Sequence, residues 1–214
     1  MSEQAADLEL TPGLYLLPTA AGAFHALSRR EDTPLRRLIL ALARHRSSPL
    51  ADEAEIARWL GVADRQAALE ALHRAQTLGF IQGYTTVHAV PALGVGNELH
   101  QLLPHLSSVG KGLIVDWNGL TLASCGLGED AADALAALSA DLIAVQERHA
   151  ARLVQHIGLA THGWAAVNAY GSSRIGAWPL YVGEERLMLV LLGEPRLNKP
   201  EFLALAWVLI NRYG

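Results

Sequence analysis

The sequence predicts an α+β protein in two parts, a small helical module followed by an antiparallel sheet layered with helices. Three observations predict it. Capped stretches with helix-period apolar residues fill the first 80 or so positions, with few strand signals among them. Between residues 110 and 193, five short apolar runs are separated by turn signals. Between the second and third of those runs lies one long helical stretch, from about Glu129 to Ile157.

Taken in order, TPLRRLILALARHRS (33–47) carries Leu35, Leu38, Ile39 and Leu42 at helical spacing, with Thr33 as N-cap and Pro34 at the first helical position. DEAEIARWLGV is a shorter helix, with Ile56, Trp59 and Leu60 on one face and Gly61 as its stop. Asp64 caps a third helix whose Ala68, Leu69, Leu72 and Ala75 form a stripe ending at Gly79. FIQGYTTVHAV then reads as a strand, as does GAFHALS before the first helix. This order suggests a winged helix-turn-helix over residues 12–90.

PALGVG (91–96) reads as a linker; its isolated Gly-x-Gly lacks the leading strand and third glycine of a phosphate loop. The second domain, 97–214, opens with the helix NELHQLLPHL, for which Asn97 is the expected cap. Strands are expected at 110–116 and 120–125, then the long helix, then strands in GWAAVNAY, RIGAWPLYV and RLMLVLLG. A last helix, opening near Asn198 and Pro200, is apolar all round and therefore expected to be enclosed. The order is α-β-β-α-β-β-β-α.

On a helical wheel, residues 131–157 separate two apolar surfaces. Leu135, Leu138, Leu142, Val145, Leu153 and Ile157 form one stripe, expected to lie on the domain's own sheet. An adjoining strip of mostly small residues, including Ala136, Ala140, Ile143, Ala144 and Val154, is surplus to that need. It is the expected partner interface, because small side chains let another helix approach closely and an unpaired strip would be an exposed patch. The long helix is thus expected to meet either a second copy of the chain or a partner protein.

The stretch GLIVDWNGLTLAS (112–124) resembles the hairpin of the roadblock (dynein light chain roadblock) family, Gly-apolar-apolar-apolar-Asp-x-x-Gly-apolar-apolar-apolar-Ala-Ser. ALAALSADLIA is similar to the family's Ala- and Leu-rich long helix, and the resemblance spans 97–214. It implies dimers formed through long helices, with sheets joining across the interface. It also implies a non-enzymatic regulator or scaffold partnered with a small Ras-like GTPase or a larger assembly. The added N-terminal module departs from the minimal family member.

Composition excludes several alternatives. A net charge of −4 gives no bulk attraction to nucleic acid or anionic lipid. The polar, acidic N-terminus has no signal-like segment, and the longest apolar run, Phe202 to Ile210, is too short to span a membrane, so a cytoplasmic protein with no membrane partner is expected. Cys125, the single cysteine, is followed by Glu129 and Asp130, a poor setting for a thiolate. Asp116 reads as a turn residue rather than an acid or base. The histidines lack the spacing and company of metal ligands, and no nucleotide or triad motif occurs, so neither enzyme activity nor a cofactor is expected.

The alternative is a dimeric DNA-binding regulator. Arg36 and Arg37 would contact phosphates, and Arg65 and Arg74 would lie on the recognition helix. Residues 1–96 carry nine arginines against ten acidic residues, so the module is not basic overall and a protein partner is the preferred reading.

Overall fold

A computed structural model describes residues 8–89, 97–159 and 163–214 of the chain. The expected linker at 91–96 lies outside the described residues. The chain divides into two compact units, one made of Met1–Ala26 and Glu31–Pro91, the other of Leu27–Arg30 and Ala92–Gly214.

The first unit runs β1 (Tyr15–Pro18), α1 (Ala20–Leu27), α2 (Pro34–Arg44), α3 (Glu53–Leu60), α4 (Arg65–Thr77) and β2 (Ile81–Tyr84). Local chemistry starts each of the last three helices. Thr33 Oγ1 accepts from the Arg36 amide at 3.2 Å, Asp52 Oδ1 from Glu55 at 2.9 Å, and Asp64 Oδ2 from Ala67 at 3.0 Å. Leu38, Ile39, Leu42, Ile56 and Leu72 fill the core between them. GAFHALS is helical, not a strand. Thr19 Oγ1 accepts from the Gly22 amide at 3.1 Å, capping α1 and overriding the strand-like pattern. The strand instead precedes it: β1 pairs antiparallel with β2, from Tyr15↔Tyr84 to Pro18↔Ile81. Gly22 is required there, because a Cβ would come within 2.1 Å of the Phe80 carbonyl oxygen. Among the described residues no strand follows β2 to complete a wing hairpin.

The second unit runs α5 (Glu98–Leu102), a 3₁₀ turn (Leu103–Leu106), β3 (Gly112–Asp116), β4 (Thr121–Cys125), α6 (Glu129–Ile157), β5 (Trp164–Val167), β6 (Ser173–Val182), β7 (Glu185–Leu192) and α7 (Pro200–Tyr213). The expected first helix thus breaks at Leu102, where Pro104 removes a donor and the chain tightens. Asn97 precedes α5 without a side-chain capping bond, contrary to expectation. The strands form one antiparallel sheet in the order β4-β3-β7-β6-β5.

Strand alternation divides its residues between two layers. Leu113, Val115, Ala177, Met188 and Val190 pack beneath α6 with Ala136 and Ile143. The alternate residues Leu187, Leu189 and Leu191 are fully buried on the other face. On α7, Phe202, Leu205, Ala206 and Leu209 are enclosed, as its all-round apolarity predicts. Gly112 matters for the pairing of β3 with β7, since a Cβ there would meet the Val190 carbonyl oxygen at 2.7 Å.

Candidate interaction surface

At about 1.5 Å per residue, the 29 residues of α6 extend over roughly 43 Å. Its buried residues are Ala132, Ala136, Ser139 and Ile143, all in the first half. The two surfaces read from the wheel therefore exchange roles. The small-residue strip expected to meet a partner faces the unit's own sheet instead: Ala136 and Ile143 are 1% and 2% exposed, and Ala140 packs partly buried against the same cluster. The β3–β4 turn packs against this strip. Gly119 lies so near α6 that a Cβ there would be 3.9 Å from the Ala140 methyl and 3.8 Å from the Ala136 carbonyl oxygen. These are ordinary van der Waals distances, so the turn packs directly on the Ala136–Ala140 strip. Of the five expected interface residues, Ala144 and Val154 remain exposed.

Of the larger apolar stripe, Leu135 packs against the same cluster, while Leu138, Leu142 and Val145 do not. Leu138 and Val145 are 46% and 47% exposed, with Leu142 partly exposed between them at the i, i+4, i+7 spacing of one stripe. This stripe lies about 130° around the helix from the buried strip, too far to reach the sheet. Val154 and Ile157, both at least half exposed, lie near the sheet-facing direction, but on the stretch of helix after the last buried residue. At the sheet margin β5 pairs only with β6 among the described residues, and Val167 is exposed.

The expected chemical bystanders occupy structural positions. Asp116 Oδ1 accepts from the amides of Asn118 at 2.9 Å and Leu120 at 2.8 Å, closing the turn in which Gly119 has φ +86°. Burial pushes the Cys125 thiol above its ordinary value, and a hydrogen bond with the Gly112 backbone opposes this only in part. His100 Nδ1 lies 3.0 Å from the Ser124 carbonyl oxygen. No group of three metal-ligating side chains is found among the described residues.

Three of the four arginines considered for DNA contact are engaged within their own unit. Arg65 makes a two-pronged pair with Glu53, at 2.5 Å from Nε and 2.8 Å from Nη2; that hydrogen bond is the main cause holding the Glu53 carboxyl below its ordinary value. Arg37 pairs with Asp32 at 3.6 Å. Arg36 Nε donates to the Ala26 carbonyl at 2.8 Å, and burial lowers its pKa against the opposing pull of Asp32 and Glu31. Arg74 is exposed and makes no side-chain hydrogen bond or ion pair among the described residues. Glu53 and Arg65 sit on different helices, so their pairing is a tertiary contact rather than a local one.

No family model matches the chain, and no curated protein matches it. Solved structures similar to it include a Roadblock/LC7 domain from Streptomyces avermitilis, 15% identical over 56% of this chain and 93% of that one, with a TM-score of 0.37. The gliding protein MglB from Thermus thermophilus is 19% identical over 56% of this chain and 92% of its own, with a TM-score of 0.36. Myxococcus xanthus MglB is 17% identical over 57% and 92%, with a TM-score of 0.33.

Proposed function

We propose that the protein is a non-enzymatic cytoplasmic adaptor or regulator that pairs with a second copy through α6 and engages a small Ras-like GTPase or a larger assembly. The observation that carries this reading is the Leu138–Leu142–Val145 stripe, apolar and turned away from the sheet its own helix covers. The α-β-β-α-β-β-β-α order and the Gly112–Ser124 hairpin support the roadblock-like reading of this unit. The N-terminal unit, read as winged-helix-like, then serves as a protein-interaction module, in keeping with its internally paired arginines.

Magnitudes bound how the pair is made. Fully burying a Leu or Val contributes about 1.5–3 kcal/mol, so six half-exposed side chains from two copies return roughly 5–9 kcal/mol. Association costs about 4–15 kcal/mol. The stripe alone makes a weak pair, so adjoining surface is needed, and among the described residues the sheet leaves two strand edges, β4 and β5, that could supply strand hydrogen bonds. Light scattering should give twice the 23.0 kDa chain mass for the native protein and the single-chain mass for Leu138→Glu/Val145→Glu. A native monomer, or an unaltered dimer in the double variant, would refute the pairing. Affinity capture from source-cell lysate with GTP and GDP compared should recover a GTPase in one nucleotide state.

A further inference from the structure

A cleft of about 550 Å³ opens at one end of the second unit's sheet, between the loop entering β3, the β5–β6 turn and the end of β7. It is shallow and open to solvent rather than enclosed. The walls are cross-tied by backbone and hydroxyl bonds. Ser107 Oγ donates to the Leu192 carbonyl at 2.6 Å, Ser108 Oγ accepts from the Glu194 amide at 2.8 Å, and the Gly193 amide donates to the Arg174 carbonyl at 2.8 Å. Gly193, with φ +72°, permits this closeness, since a Cβ would lie 2.6 Å from Ser108 Oγ.

The lining is rich in donors that no described residue uses. Lys111 and Arg174 both line the cleft, and neither side chain makes a hydrogen bond or ion pair among the described residues. Lys111 is one of only two lysines in the chain. Asn168 spends its Oδ1 on the amides of Tyr170 and Ser172, both at 3.0 Å, which leaves its amide nitrogen without an acceptor among the described residues. Ser173 Oγ is buried and makes no hydrogen bond among the described residues, an arrangement with a cost unless a ligand or water supplies one. The one carboxylate in the lining is Glu194, against two cations. Donors thus come from the β3 entry, the β5–β6 turn and the start of β6. A carboxylate presents two oxygens in one plane, whereas a phosphate group presents three around a tetrahedron and accepts from several sides.

We infer that this cleft binds the phosphate group of a small organic phosphate, held by Lys111 and Arg174 with Asn168 and Ser173 as neutral donors. The site lies within one unit and does not depend on the pairing of two chains, so its failure would leave that reading intact. The test is a titration of the full-length protein with phenyl phosphate, benzoate and phenol, followed by amide chemical shifts and calorimetry. Saturable phenyl phosphate binding with Kd near or below about 1 mM is expected, with shifts confined to residues 108–111, 168–174 and 192–194. Lys111→Gln and Arg174→Gln should each weaken it about tenfold while leaving the melting temperature unchanged, because both side chains are exposed and unbonded. Rising salt should weaken it further. Absence of saturable binding, equal affinity for benzoate, or full affinity in the Lys111→Gln/Arg174→Gln double variant would overturn the assignment.

Discussion

Two turns of the second unit share one backbone plan and meet different fates. In the β3–β4 turn, Asp116 Oδ1 accepts from the amides two and four residues on, and Gly119 takes a left-handed φ of +86°. In the β5–β6 turn, Asn168 Oδ1 accepts from the amides two and four residues on, and Gly171 takes φ +81°. Even the main-chain bonds correspond, Asp116 N to Leu120 O at 2.9 Å and Asn168 N to Ser172 O at 3.0 Å. Yet the first turn is docked. Trp117 packs against the cluster under α6, with the Arg186 guanidinium 5.3 Å from its ring, and Gly119 lies beside Ala136 and Ala140. The second stands free, with Tyr170 94% exposed and nothing within 4 Å of where a Gly171 Cβ would be. Local chemistry shapes a turn; packing decides whether the rest of the protein depends on it.

The largest effect should come from the docked tip. Trp117→Ala is expected to cost about 2–3 kcal/mol in urea unfolding, at or below the low end for aromatic truncation because the ring is only partly buried. Tyr170→Ala should stay within about 0.5 kcal/mol. Equal losses from the two would break the contrast, while a Tyr170→Ala variant of native stability but altered partner binding would sharpen it.

The glycines come next. Gly119→Ala and Gly171→Ala both place a side chain in the left-handed region, at a cost of about 1–2 kcal/mol each. Gly119→Val should then lose clearly more than Gly171→Val, because its branches enter the space beside Ala140. Thermal melting of the four variants tests whether docking adds to the conformational penalty.

The smallest effect is expected from exchanging the turn residues. Asp116→Asn and Asn168→Asp each keep an acceptor oxygen at the same place, so each should shift stability by less than about 1 kcal/mol. A larger loss in either would mean that charge, rather than the acceptor, closes that turn. Cys125 offers a separate check on the hairpin's other arm. With its thiol pKa raised by burial, iodoacetamide should modify it more slowly at neutral pH in the native protein than in the urea-unfolded chain.

Much of this architecture is legible in the residues. Caps such as Thr33 and Asp64, stops such as Gly61, and the limits Glu129 and Ile157 are local events between neighbours in the chain. The misreadings arise where local signals compete or distant partners intervene. GAFHALS has a strand-like look, but Thr19 supplies a helix cap just before it. Arg65 looks free for a nucleic acid until Glu53, twelve residues earlier, is placed beside it. The cleft donors at residues 111, 168 and 174 carry no motif, since only the sheet brings those three segments together.

The long helix draws the dividing line most plainly. Its existence, length and two apolar surfaces follow from sequence by itself, because periodicity and helix propensity act between residues three and four apart. Which surface meets the sheet was decided by tertiary structure alone. The wheel measures hydrophobicity, and by that measure Leu138, Leu142 and Val145 belong inside. The sheet instead takes Ala136, Ala140 and Ile143, with the turn at Gly119 in van der Waals contact with the two alanines. Leu138, Leu142 and Val145 were left facing outward for another surface to cover.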